Sequence, residues 1–244
     1  MAEVERIKTG VIGLDDKLEG GFVRGSVIYL AGKTGTGKTS FAAQFIYAGC
    51  IRGESGIYVT TEERGEDIKA DIKSVFDIDL EVLENKGLLR FVSLRPSIPS
   101  FRGFTQEDIA SITKLYVFDF MNKIEQEVKT INAKRVVVDS ISIIESFIKD
   151  DYLKKVSLIQ IINRLKELNV TALITGTIKE DSEALSESGI IEFLADGVIK
   201  LDFVPVAEEF KRTLTIRKMR RTDHSVYIHP FEITKKGIRI IEIE

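Results

Sequence analysis

Eight residues, Gly32-Lys33-Thr34-Gly35-Thr36-Gly37-Lys38-Thr39, join a short apolar run, Gly25–Lys33, to a segment, Lys38–Ile51, whose Phe41, Phe45 and Ala48 recur at helical spacing. The spacing is G-x-x-x-x-G-K-[ST], set between a strand and a helix. Glycines at these positions let the backbone turn tightly and aim successive N–H groups at one point. The helix that follows turns its positive end onto the same point. A phosphate chain fits such a corner. Lys38 adds a charge near the β- and γ-phosphates, and Thr39 offers a hydroxyl to Mg²⁺. The expected nucleotide contacts are Thr34, Gly35, Thr36, Gly37, Lys38, Thr39 and Ser40. Charge-assisted hydrogen bonds of this kind contribute about 1.5–3 kcal/mol each, so several hold a triphosphate tightly. At ordinary glycine usage the pattern arises by accident in roughly one chain of this length per hundred. Chance seldom also supplies the flanking strand and helix.

The corner demands a particular kind of fold, and the rest of the chain provides it. Gly56–Thr61 and Val170–Thr175 read as buried strands, as do Leu89–Leu94 and Arg135–Asp139. Between them lie helical patterns at Glu66–Phe76 and Tyr152–Leu168, and a long amphipathic stretch, Thr105–Ile131, of one helix or two. Strands alternating with helices imply right-handed crossovers and a parallel sheet covered on both faces. After Ala195 the rhythm changes. Gly197–Phe203, Arg212–Met219, Ser225–Ile233 and Ile238–Glu242 are strand-like with short connections, which predicts antiparallel strands extending the same sheet. The expected fold is α/β, one domain over residues 1–244. Arg95–Phe104, with two of the four prolines, reads as a loop or lid.

Composition narrows the class. With 43% hydrophobic residues the chain is too apolar for disorder. No apolar run approaches the roughly 20 residues of a membrane span, and Met1–Gly10 lacks an apolar leader. The single cysteine, Cys50, excludes a disulfide framework and a cysteine-rich zinc site. A cytoplasmic protein without a membrane role is the expectation. A net charge of −3 gives no general attraction to nucleic acid.

Two further carboxylate sites point to hydrolysis. Asp139 closes the Arg135–Asp139 strand and is the expected second anchor for Mg²⁺, beside Thr39. Glu62 and Glu63 follow the second strand. Strand ends of a parallel sheet share one rim, so either glutamate can face the γ-phosphate and orient or deprotonate a water. Lys38, Glu62 and Glu63 are the candidate catalytic residues.

With these pieces in place, the chain resembles the KaiC/RadA branch of RecA-type ATPases. Thr9–Asp15 with Gly20-Gly21 and Arg24-Gly25 resembles the family's opening segment, and Gly53–Val59 followed by Glu62-Glu63 its second strand. Ala195-Asp196-Gly197-Val198-Ile199 resembles the A-D-G-I-I strand. Lys218-Met219-Arg220-Arg221-Thr222-Asp223-His224 with His229–Thr234 is similar to the signature K-[ML]-R-x-T-x-H…PF-x-I-T. The resemblance implies a RecA-like core and a ring homo-oligomer, taken as a hexamer, with ATP between neighbouring subunits. Lys218 and Arg220 would then reach the adjacent subunit's γ-phosphate, with Thr222 and His224, and more weakly Thr234, bordering it. An arginine supplied across an interface is worth about 10³–10⁵ in rate elsewhere.

The chain also departs from the pattern. Recombinase-like members end a central strand with T-S-Q, where this chain has Thr175-Gly176-Thr177. The segments matching DNA-contacting loops, Ile178–Gly189 and Ser142–Asp151, are acidic and hold few aromatics, so single-stranded DNA in a ring pore is not expected. A basic patch around Lys211, Arg212, Arg217 and Arg221 is a peripheral alternative. Autophosphorylation at Ser182, Ser186 or Ser188 is not expected, and a closed ring is expected over a filament. Cys50 and His229 read as structural. The leading expectation is slow, Mg²⁺-dependent ATP hydrolysis at a subunit interface, with a protein client the residues do not identify. Its rivals are an ATP-cemented scaffold that does not hydrolyse, and a nucleic-acid-binding recombination accessory.

Overall fold

The computed structural model describes residues 4–95, 104–179, 181, 182, 184–206 and 208–242. Near the N-terminus β1 (Arg6–Ile7) and β2 (Phe22–Val23) form a small antiparallel ribbon around a 3₁₀ turn at Asp15–Leu18. The chain then enters β3 (Val27–Gly32), whose six residues are all buried. Next come α1 (Lys38–Cys50), β4 (Gly56–Thr60), α2 (Gly65–Phe76), α3 (Leu80–Asn85) and β5 (Leu89–Ser93). The long stretch is one helix, α4 (Gln106–Ile131). Thr105 caps it: its hydroxyl accepts the Asp108 N–H, and the Asp108 carboxylate accepts the Thr105 N–H at 2.9 Å. β6 (Arg135–Asp139), α5 (Ser142–Phe147), α6 (Asp151–Glu167), β7 (Thr171–Thr177) and α7 (Ile191–Leu194) follow. The chain closes with β8 (Gly197–Val206), β9 (Glu209–Met219), β10 (Ile228–Thr234) and β11 (Gly237–Ile240).

Nine strands form one sheet in the order β11-β10-β9-β8-β3-β7-β6-β4-β5. The six from β8 to β5 run parallel, and β9, β10 and β11 are antiparallel. Of the four strands expected to be antiparallel, the first, β8, thus pairs parallel with β3, and the reversal begins at β9. Every residue of β3 and β4 is buried, as parallel strands covered on both faces require. α1, α2 and α3 supply the core on one face, and α4 to α7 that on the other. Among the described residues no helix is long and apolar enough to cross a membrane.

Two further expectations need correction. Ser142–Asp151, read as a loop, opens with α5, because Ile144 and its neighbours pack under the sheet. The strand expected from Ser225 starts at Ile228, since the preceding residues are outside the pairing with β9. The ribbon of β1 and β2 and the short α3 carry too few residues to show a period. Most of the lid, residues 96–103, lies outside the described residues.

One buried charge ties the layers together. Arg135, at the head of β6, is fully buried. Its guanidinium donates to Glu54 Oε2 at 2.8 and 2.6 Å and to the carbonyls of Lys8 and Phe45 at 2.8 Å each. It also lies 4.7 Å from the centre of the Phe45 ring. A Cβ at position 49 of α1 would come within 2.3 Å of Arg135 Nε, which explains Gly49. Burial alone would raise the Glu54 carboxyl, but the hydrogen bonds and charge of Arg135, with Arg24, hold it below its ordinary 4.5. That depressed value stabilises the fold in full above pH 4.5, and the contribution drains away as pH falls through the folded-state value. Arg135→Met is expected to cost about 3–5 kcal/mol by denaturant unfolding, because two buried carbonyls lose their donor and Glu54 keeps only Arg24. The loss should shrink in acid as Glu54 protonates.

Candidate active site

Because β3, β4, β6 and β7 run parallel, their C-terminal ends meet at one rim, and a cleft of about 490 Å³ opens there. The phosphate loop forms its floor. Gly35 and Gly37 take φ values of +79° and +103°, and Gly37 is the residue from which α1 springs. Thr34, Gly35, Gly37, Lys38, Thr39 and Ser40 line the cleft. Thr36 does not. Its hydroxyl donates to the Lys33 carbonyl at 2.8 Å and the residue is fully buried, so its side chain braces the loop from inside. Lys38 Nζ donates to the carbonyls of Gly32 and Lys33 at 2.8 and 2.9 Å, which holds the ammonium across the loop. Burial lowers its proton affinity, and the nearby carboxylates of Asp139 and Glu62 offset only part of that.

The opposite wall is knitted from the ends of β4 and β6. The Thr61 N–H donates to the Asp139 carbonyl at 2.9 Å, and the Thr61 hydroxyl donates to the Ser140 carbonyl at 2.7 Å. The peptide between Asp139 and Ser140 is cis. Ser140 Oγ donates to Glu62 Oε1, which fixes that carboxylate at the cleft beside Asp139. Asp139 accepts from the Tyr58 hydroxyl at 2.6 Å and from the Thr175 hydroxyl. Glu63 also lines the cleft. Burial, then the charges of Asp139, Asp71, Glu62 and Asp67, raise its proton affinity above that of an ordinary glutamate.

The donor set suits a hard cation. Thr39 and Asp139 offer oxygen only, and both line the cleft. Mg²⁺ is commonly bound by one or two protein oxygens together with substrate phosphates and water. Among the described residues no group of three or more His, Cys, Asp or Glu forms an all-protein metal site.

Sequence reasoning missed one cation of the cleft. Arg212, expected in a peripheral patch, lines the cleft from β9. It pairs across strands with Phe203, and its guanidinium lies 5.2 Å from the centre of that ring. Nη2 reaches the Gly35 carbonyl at 3.5 Å, and Nε is buried without a partner among the described residues. Only the pairing of β8 with both β3 and β9 carries Arg212 to the loop, and a basic run has no local mark of it. Thr177 stands at the cleft. Its neighbour is glycine for a steric reason: a Cβ on Gly176 would come within 2.1 Å of the Tyr29 hydroxyl.

Lys218, Arg220, Thr222 and His224 do not line this cleft. Gly32 pairs with Leu201 at the loop end of β3, whereas Met219 pairs with Gly197, which faces Ile28 at the other end. Four residues of strand separate the two ends, roughly 13 Å. Lys218 Nζ donates to the carbonyls of Glu192, Phe193 and Ala195, and Arg220 to Phe193 O and Asp196. The Thr222 hydroxyl accepts from Arg6 at 2.9 Å, and His224 Nδ1 contacts the Ser225 carbonyl at 3.0 Å. His229 contacts the Ser225 hydroxyl at 2.8 Å, and Cys50 is buried, its thiol pushed up to about 11 by burial. Both fit structural roles.

Comparison with known proteins agrees with this geometry. A family profile described as "ATPase: KaiC" matches residues 7–244. The chain is 33% identical over 234 residues to UPF0273 protein PH0284 of Pyrococcus horikoshii, covering 96% of this chain and 92% of that one. It is 34% identical over 243 residues to circadian clock protein KaiC3 of Synechocystis, covering 98% of this chain and 46% of that longer one. Among solved structures, the KaiC-like protein PH0186 of Pyrococcus horikoshii superposes with a TM-score of 0.83 at 38% identity, over 98% of this chain and all of the other.

Proposed function

The chain belongs to the KaiC family of ATPases, and from that premise we propose that it hydrolyses ATP slowly, with Mg²⁺, at the interface between copies of itself. The observation that carries this reading is the separation of its charges. Lys38, Asp139, Glu62 and Glu63 gather at one rim, while Lys218 and Arg220 sit roughly 13 Å along the sheet. A cation so placed meets a triphosphate only on another copy, and a closed ring, taken as a hexamer, satisfies every such contact.

Within one subunit the loop amides and Lys38 bind the phosphates, and Arg212 closes over the loop from β9. Thr39 and Asp139 would hold Mg²⁺, which when bound neutralises phosphate charge. Glu62, oriented by Ser140, and Glu63, with its raised proton affinity, face the γ-phosphate position to align a water and receive its proton. Lys218 and Arg220 of the neighbour stabilise charge developing on the transferred group, with Thr222 and His224 beside them. The loop after β7 argues against a path for single-stranded DNA. Ile178–Gly189 carries Lys179 against Glu180, Asp181, Glu183 and Glu187, and Lys179 itself faces Glu187, so the segment offers a phosphate backbone no net positive charge.

The test is subunit count by light scattering, with and without ATP and Mg²⁺, beside phosphate release. Glu62→Gln and Glu63→Gln are expected to slow release by about 10²–10⁴-fold between them while ATP still drives assembly. Unchanged release in the double variant would leave an ATP-cemented scaffold as the better reading. Assembly indifferent to ATP would remove the interface from it.

A further inference from the structure

Three cations of this chain converge where α7 ends and β8 begins. Lys218 Nζ donates to the carbonyls of Glu192, Phe193 and Ala195 at 3.0, 3.1 and 2.7 Å. Lys166 Nζ donates to Leu194 O and to Asp196 Oδ1, both at 3.0 Å. Arg220 donates to Phe193 O at 3.3 Å and to Asp196 Oδ1 at 3.0 Å. Asp196 is thus the carboxylate among three positive charges.

That carboxylate is rigidly placed. Asp196 Oδ2 accepts the Val27 N–H at 3.0 Å, and the Asp196 N–H donates to the Val27 carbonyl at 2.8 Å. Val27 opens β3, the strand that ends in the phosphate loop. The Asp196 carbonyl in turn accepts the Arg220 N–H at 2.8 Å. Burial would raise the Asp196 carboxyl, but the Val27 N–H, Lys166 and Arg220 hold it below its ordinary 3.8, so it stays charged at neutral pH. The side chain is 15% exposed against 50% for Arg220.

The two interface cations are not equivalent in this arrangement. An ammonium has three protons, and all three on Lys218 have a carbonyl acceptor. A guanidinium has five N–H donors, and Arg220 uses two of them here, leaving a half-exposed head with donors to spare. A long side chain of this kind reaches across an interface in a useful direction only if something fixes its course.

We propose that Asp196 is a positioning residue for hydrolysis: anchored on Val27, it sets the direction in which Arg220 leaves its own subunit toward the neighbouring phosphates. This rests on the interface reading above. Asp196 touches no nucleotide in its own chain and acts through Arg220.

Asp196→Asn tests it, because the amide keeps an oxygen for the Val27 N–H while removing the charge that orients Arg220. Turnover is expected to fall about 10- to 100-fold, the scale of a misplaced catalytic group. The KM for ATP should stay within about twofold, as for an interaction made chiefly in the transition state. Asp196→Glu restores the charge and should regain part of the loss. In an Arg220→Ala background neither change at position 196 should matter further. If Arg220→Ala alone leaves turnover unchanged, the interface reading has failed. If Arg220→Ala slows turnover but Asp196→Asn does not, or slows it by an equal further factor in the Arg220→Ala background, the role given to Asp196 is overturned and the interface reading stands. Should Asp196→Asn not fold, Asp196→Glu carries the same comparison, with a smaller drop expected alone and none beside Arg220→Ala.

Discussion

Arg220→Ala is expected to lower ATP turnover about a thousandfold or more, the scale seen when an arginine supplied across an interface is lost. ATP affinity should change little, because Arg220 lies at the far end of β9 from its own cleft and does not line it. The telling measurement mixes two inactive proteins. Arg220→Ala keeps an intact cleft and lacks the cation, whereas Lys38→Ala keeps the cation and lacks the cleft. If the residues meet across subunits, an equal mixture restores turnover at about a quarter of interfaces, half with an intact cleft times half with an intact neighbour. If both residues served the same chain, mixing would restore nothing.

Lys38→Ala has the second largest expected effect, on binding as well as turnover. Its ammonium is held across the loop by two carbonyls, at the point where the phosphate charge must be met. Losing one charge-assisted contact of about 1.5–3 kcal/mol weakens ATP roughly 10- to 150-fold, and turnover falls further because the γ-phosphate loses its cis charge. Titration calorimetry checks the first part and phosphate release the second. The fold should be untouched, since Lys38 begins α1 and spans a loop that Thr36 and Gly32 brace from within. An unchanged affinity would mean that the phosphates lie elsewhere.

The acidic side of the cleft was partly legible before the structure. Asp139 and Glu62-Glu63 could be placed because strand ends in a parallel sheet share a rim, and that follows from alternation alone. Arg212 could not. It belongs to a strand far along the chain, and its approach to Gly35 depends on β8 pairing with β3 on one side and β9 on the other. Asp196 was visible only as part of a family-like string. Its three cationic neighbours come from α6, from β9 and from the residue just after β9, so only tertiary structure gathers them.

Local sequence determined the elements that rest on local physics. The phosphate loop, the buried strands and the helical character of Thr105–Ile131 follow from glycine freedom, continuous apolar runs and amphipathic spacing, though only the structure shows that stretch to be one helix. Tertiary structure decided what depends on register and distance: that β8 runs parallel, that Thr36 faces inward, that Tyr29 fills the space a serine at 176 would need, and that the two sets of charges stand at opposite ends of the sheet. A hydrogen-bonded ladder sets strand order through contacts between residues far apart in the chain, and no short window of sequence contains both partners.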